Sequence, residues 1–187
     1  MVSLEDHHLS VVPFKNPTCT VNNILILRDP YNLFSSRIRR ASLVNHPAYP
    51  RERGEAMNRV VSLWKEHARE YLGITNILRN KICIYFNTWF SDKTYRREIS
   101  NSLGLKFSDQ GYSDVSKKGG GSSFDRTKYD GKSHMMDVLN RKGLLTDDEL
   151  EFLELITDDN EIQELACMIE SHKVKSEDCN GGCCCDV

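Results

Sequence analysis

The stretch that most limits how this chain folds is NNILILRDPYNLFSSRIRR, residues 22–40. Ile24 to Leu27 is an unbroken apolar run of four, the pattern of a parallel strand covered on both faces. Pro30 suits the first turn of a helix, where its missing N–H leaves no bond unmade. That helix is expected over about Tyr31 to Leu43. The strand delivers Arg28 at its carboxyl end, and the helix turns its N-terminus toward the same crevice. This is how α/β proteins hold a phosphate. Ser36 on the second turn adds a hydroxyl, and Arg37, Arg39 and Arg40 add positive charge. The same residues leave another reading open, in which Arg28 pairs with Asp29 or a helix acid and the later arginines form a solvated face.

The rest of the pattern sets the fold class. Met57, Val60, Val61, Trp64, Ala68, Tyr71 and Leu72 recur at helical spacing, and Gly73 stops that helix. KICIYF, residues 81–86, reads as a second strand. YRREISNSLGL reads as an amphipathic helix, with Ile99 and Leu103 on one face and Gly104 at its end. Thr146 with Glu149, and Asp158 with Glu161, make two capping boxes. They open helices to about Ile156 and about Ser171. The order predicts an α/β fold: a partial three-layer parallel sheet flanked by helices, with an α-helical C-terminal part. Residues 1–172 read as a single domain and 173–187 as a flexible Cys-rich tail. Only two strands are visible where a doubly wound sheet wants four or more, so strands are missed or the domain is incomplete.

Charge narrows the partners. The chain has 187 residues, 39% of them hydrophobic, and a net charge of -2 from 25 basic and 27 acidic side chains. A global nucleic-acid or membrane footprint is therefore excluded, and any anion site has to be built locally. No apolar run approaches the roughly 20 residues a membrane span needs. The start, MVSLEDHHLS, lacks a signal-peptide pattern, so a cytoplasmic protein is expected. Cys19, Cys83 and Cys167 read as small buried residues. The tail CNGGCCCDV reads as reduced and disordered, with soft-metal binding or lipidation as alternatives. Asp186 spoils a prenylation box. No resident metal is expected.

From Ser108 to Gly131 the chain is polar and glycine-rich, a length that marks a loop as functional or disordered. Within it, Lys117, Lys118, Gly119, Gly120, Gly121, Ser122 and Ser123 offer cations, free amides and hydroxyls. Such a segment wraps a phosphate because glycine lets the backbone approach; a flexible linker is the other reading. The Walker spacing occurs nowhere, which disfavours a P-loop NTPase.

In combination, these segments resemble the PAPS-dependent sulfotransferases, whose co-substrate is 3′-phosphoadenosine-5′-phosphosulfate. Arg-Asp-Pro at a strand end, with Ser36 eight positions after Arg28, is similar to that family's 3′-phosphate segment. KKGGG resembles its covering loop, with Lys117 where arginine is common, and WKEHAREY its intervening helix. The resemblance spans about residues 8 to 130. It implies a P-loop NTPase-like fold, with Arg28, Ser36, Lys117, Lys118 and Gly119 around the 3′-phosphate and Tyr85 beside the adenine. Phe86 and Asn87 replace the acids that often follow that tyrosine. The resemblance also implies His8, twenty residues before Arg28, as the catalytic base; Glu5 and Asp6 are alternatives. An imidazole suits that role at neutral pH. The acceptor would be a small molecule or carbohydrate with a hydroxyl or amine. The family's 5′-phosphosulfate strand and Lys-Ser-Gly-Thr type turn precede the histidine, and only seven residues do so here. An N-terminally incomplete or degenerate relative is therefore expected, with weak nucleotide binding and little transfer. A non-catalytic interaction module that kept the scaffold is the alternative.

Overall fold

Two apolar pentads, NILIL and KICIY, form the sheet of the computed structural model, which describes residues 7–11, 21–41, 54–117 and 120–178. β1 (Asn23–Leu27) and β2 (Lys81–Tyr85) run parallel, in register from Asn23 against Lys81 to Leu27 against Tyr85. Parallel pairing needs a crossover, supplied here by α1 (Pro30–Ala41) and α2 (Glu55–Tyr71). After β2 come α3 (Phe86–Ser91) and α4 (Lys93–Ser102), then a turn-rich segment with 3-10 turns at 110–113, 133–135 and 142–144. α5 (Asp147–Thr157) and α6 (Asn160–Asp178) follow. The described chain is thus mixed α/β, mostly helical, with a small parallel sheet.

Periodicity decides which faces are covered. In-register parallel partners share a face, so Leu25, Leu27 and Tyr85 point to one side and Ile24 and Ile26 to the other. The first side meets the core, where Leu27 joins Phe34 and Ile38 of α1, Val60, Trp64 and Ala68 of α2, Leu153 and Ile156 of α5, and Ile162, Leu165 and Ile169 of α6. Phe34 and Leu153 are fully buried; each such side chain contributes roughly 1.5–3 kcal/mol on leaving water. On the second side Ile24 is 43% and Ile26 59% exposed. The expectation of a strand covered on both faces therefore fails for β1 among the described residues. An all-apolar run shows that burial is tolerated on both sides; it does not supply the second layer.

Local chemistry explains the ends of the elements. Gly73, at φ +74°, lets the Ile74 N–H turn back to the Arg69 carbonyl at 2.9 Å and closes α2. The fully buried Glu70 carboxylate then accepts from Thr75 Oγ1, the Ile77 and Leu78 N–H groups, and Lys81 Nζ at 2.6 Å. One carboxylate so joins the end of α2, the following turn and the start of β2. Thr146 and Glu149 make the capping box at α5. At α6 the capping side chain is Asp159 rather than Asp158, accepting from the Ile162 N–H at 3.1 Å. α6 also runs on to Asp178, past the tail boundary expected at Lys173. Cys167 is exposed rather than buried, because it faces away from the Ile162–Leu165–Ile169 stripe.

Candidate functional site

The sequence expectation placed an anion at the N-terminus of α1, and the structure puts a carboxylate of the chain's own there. Asp29 is that helix's own cap: its Oδ1 accepts the Asn32 N–H at 2.8 Å, and its Oδ2 accepts from the side chains of Asn32 at 3.0 Å and Asn87 at 2.9 Å. Pro30 has no N–H to offer. The helix end is therefore supplied with a carboxylate already, and positive potential for a ligand has to come from arginine side chains.

Arg28 stands where the pattern put it, at the carboxyl end of β1. Its carbonyl accepts the Trp64 indole N–H at 3.0 Å, which pins the strand end to α2. One guanidinium nitrogen donates to Ser36 Oγ at 3.2 Å, and the other donates to the Val138 carbonyl. The guanidinium also lies 5.0 Å from the centre of the Phe86 ring. Burial lowers the Arg28 pKa to about 10; nearby Arg141 acts in the same direction and Asp29 opposes both. Arg28 Nε is buried with no hydrogen-bond partner among the described residues. A partly desolvated cation of this kind gains from an anion.

Ser36 and Arg40 lie one turn apart on α1, and Arg40 reaches the glycine turn. A methyl group placed on Gly120 would lie 3.5 Å from an Arg126 Nη and 3.6 Å from an Arg40 Nη, so two guanidinium groups converge there. Gly121 makes this approach possible: at φ +88°, an added Cβ would fall 2.6 Å from the Arg126 backbone. The turn is closed by Ser122 and Arg126, which exchange backbone hydrogen bonds at 3.0 and 3.1 Å. Arg141, buried beneath, donates to Asp125 at 2.8 Å and to Ser122 Oγ at 3.3 Å. Lys117 is exposed, 3.9 Å from Asp130. Lys118 and Gly119 lie outside the described residues. Arg126 and Arg141 carried no sequence signal beyond charge, because the 122–126 turn brings the first toward α1 and the bond from the Arg141 N–H to Asn32 brings the second.

Two other expected residues are placed elsewhere. Tyr85 is a core side chain, 2% exposed. Its hydroxyl donates to Glu170 of α6 at 2.8 Å, and burial together with that carboxylate raises its pKa. It borders a cavity of about 190 Å³ shared with Asp29, Asn87 and Ile169. His8 docks on α2. Its Nδ1 lies 2.6 Å from Glu66 Oε2, while Glu66 Oε1 accepts the Leu9 N–H at 2.9 Å. Burial would raise the Glu66 pKa, but the bonds from His8 and Leu9 lower it. The His8 side chain is held by Glu66 of α2, and no hydrogen bond joins it to Arg28 or Ser36 among the described residues. Glu5 and Asp6 lie outside them.

No His, Cys, Asp or Glu cluster suited to a metal occurs among the described residues, and no described helix is long and apolar enough to cross a membrane. Comparison with family models, curated proteins and solved structures finds no match.

Proposed function

We propose that the chain is sulfotransferase-like and binds the phosphate monoester of a 3′-phosphoadenosine nucleotide, PAPS or its desulfated product. The single observation that supports this reading most is the contact between Arg28 and Ser36 at the carboxyl end of β1. A cation and a hydroxyl side by side are what phosphate recognition uses, and Arg40 and Arg126, which converge on Gly120, add positive charge in this reading. In this reading Lys117, Lys118 and Gly119 belong to the covering segment. His8 is the base: with Glu66 holding Nδ1, Nε2 is free to take the acceptor proton. The acceptor oxygen bonds to sulfur, the bond from sulfur to phosphate oxygen breaks, and the bisphosphate leaves with the electron pair.

Adenosine 3′,5′-bisphosphate tests the binding. It raises the melting temperature of the wild-type protein, and Arg28→Ala or Ser36→Ala removes the shift while circular dichroism shows a folded chain. Absence of a shift at millimolar bisphosphate overturns the reading. One observation favours a non-catalytic module instead: both Arg28 terminal nitrogens are already bonded within the protein, to Ser36 and Val138. That alternative predicts bisphosphate-independent stability and no transfer of labelled sulfate to a phenol, alcohol or sugar acceptor.

A further inference from the structure

α5 has two working faces. Leu153 and Ile156 point into the core. Glu151, Glu154, Leu155 and Asp158 follow at i, i+3, i+4 and i+7 on another side, and all four are exposed. They line an open hollow of about 430 Å³ that is also bordered by Tyr31 of α1. Leu155 is 42% and Tyr31 36% exposed, so the hollow offers apolar and aromatic surface as well as carboxylates.

The charge of this hollow is left unbalanced. Neighbouring acids have cations: Glu149 pairs with Arg39 at 2.8 Å, Asp159 with Lys65 at 2.7 Å, and Glu161 with Lys65 at 3.2 Å. Glu151, Glu154 and Asp158 form no ion pair or side-chain hydrogen bond among the described residues, and no basic residue lines the hollow. Glu154 and Asp158, four residues apart, repel each other. Glu154 also stands in the last turn of α5, where the helix dipole is negative and no basic side chain answers it. The arrangement costs local stability, and conflicts of this kind mark functional surface.

We infer that the hollow beside α5 docks a basic segment of a partner protein. Lysine or arginine side chains of that segment meet Glu151, Glu154 and Asp158, and an apolar side chain meets Leu155 and Tyr31. Charge complementarity selects this occupant. A second copy of the chain, with a net charge of -2, has no overall attraction to the hollow, and the carboxylates repel anionic lipid and nucleic acid. Tyr31 suits a cation in its own right, since Lys142 Nζ already lies 6.0 Å from its ring centre. Arg28, Ser36, Arg40 and Arg126 do not line the hollow, so the inference stands apart from the phosphate reading.

The test uses the whole chain, two labelled peptides and three variants. One peptide is lysine-rich with interspersed leucines; the other has glutamate at every lysine. Fluorescence anisotropy is expected to show the first binding and the second not, with affinity falling as salt rises. Glu151→Gln/Glu154→Gln/Asp158→Asn is expected to weaken the basic peptide about ten-fold. The control Glu55→Gln/Glu98→Gln/Asp114→Asn removes the same charge from other exposed positions and is expected to bind as the wild type does. Leu155→Ser is also expected to weaken binding, through lost apolar contact. Circular dichroism checks that each variant is folded. If the basic peptide does not bind the wild type, or binds the α5 variant equally well, the docking site is wrong. If the control loses as much as the α5 variant, the attraction belongs to net charge and the site is wrong again. If sedimentation shows a wild-type dimer that the α5 variant abolishes, the occupant is a second copy and the partner proposal fails.

Discussion

Trp64 of α2 donates its indole N–H to the carbonyl of Arg28 at 3.0 Å. A core side chain, 3% exposed, so sets the backbone position of the residue that faces the site. Trp64→Phe keeps most of the apolar surface and removes that bond. The expected loss is about 1 kcal/mol from the bond alone, read by urea unfolding. Weaker bisphosphate binding accompanies it, because the strand end is freed.

Glu70 makes stability acid-sensitive. Burial alone would raise its pKa, but donation from Ile77, Lys81, Thr75 and Leu78 lowers it to about 2. A carboxylate depressed in the folded state stabilises above its unfolded pKa, and that contribution drains away as pH falls from about 4.5 toward 2. The shift corresponds to roughly 3 kcal/mol. Glu70→Gln is expected to lose a similar amount at neutral pH and to flatten the stability profile between about pH 5 and about pH 2, which chemical denaturation at each pH measures.

Arg40 and Arg126 bring like charges to one glycine. Removing either is expected to cut the bisphosphate-induced rise in melting temperature. Calorimetric titration of Arg40→Ala and Arg126→Ala reads the lost affinity directly.

Gly121 carries a sharper constraint. Its φ of +88° and the 2.6 Å approach to the Arg126 backbone leave no space for a side chain. Gly121→Ala is expected to cost about 1–3 kcal/mol and to pull Arg126 away from Arg40. Thermal melts with and without bisphosphate reveal both.

Phosphate itself titrates at about pH 6. Arg28 stays charged throughout the neutral range, even with its pKa lowered to about 10. Bisphosphate affinity is therefore expected to rise between about pH 5 and pH 7 as the dianion forms, and Arg28→Ala removes that rise.

The strands were legible in NILIL and KICIY because apolar runs between polar turns leave few other options. So were α2 and α5, where helical spacing and a capping box agree with packing. α3 was hidden: FNTWF directly continues an apolar strand, and the change from period 2 to period 3.6 has no intervening turn residue to mark it. Arg28 and Ser36 were legible because they are eight residues apart on one strand–helix unit. Arg126 and Arg141 were not, since their approach depends on a turn and on buried hydrogen bonds from Asn32 to the 139–141 segment. The capping of α1 by Asp29 is visible only in three dimensions. Asp29, read as a neighbour for Arg28, turned back onto the helix.

That turn has a consequence for how the site answers to ionic strength. With Asp29 on the α1 terminus, attraction depends on guanidinium groups at different depths. Arg126 is exposed, and at physiological salt its field is damped beyond roughly 8 Å. Arg28 is sheltered by Phe86, Ser36 and the 138–141 segment, where mobile ions penetrate poorly. Salt should therefore act first on capture and only later on retention. On the phosphate reading proposed above, the outer arginine would govern how fast an anion arrives, and the inner one how long it stays.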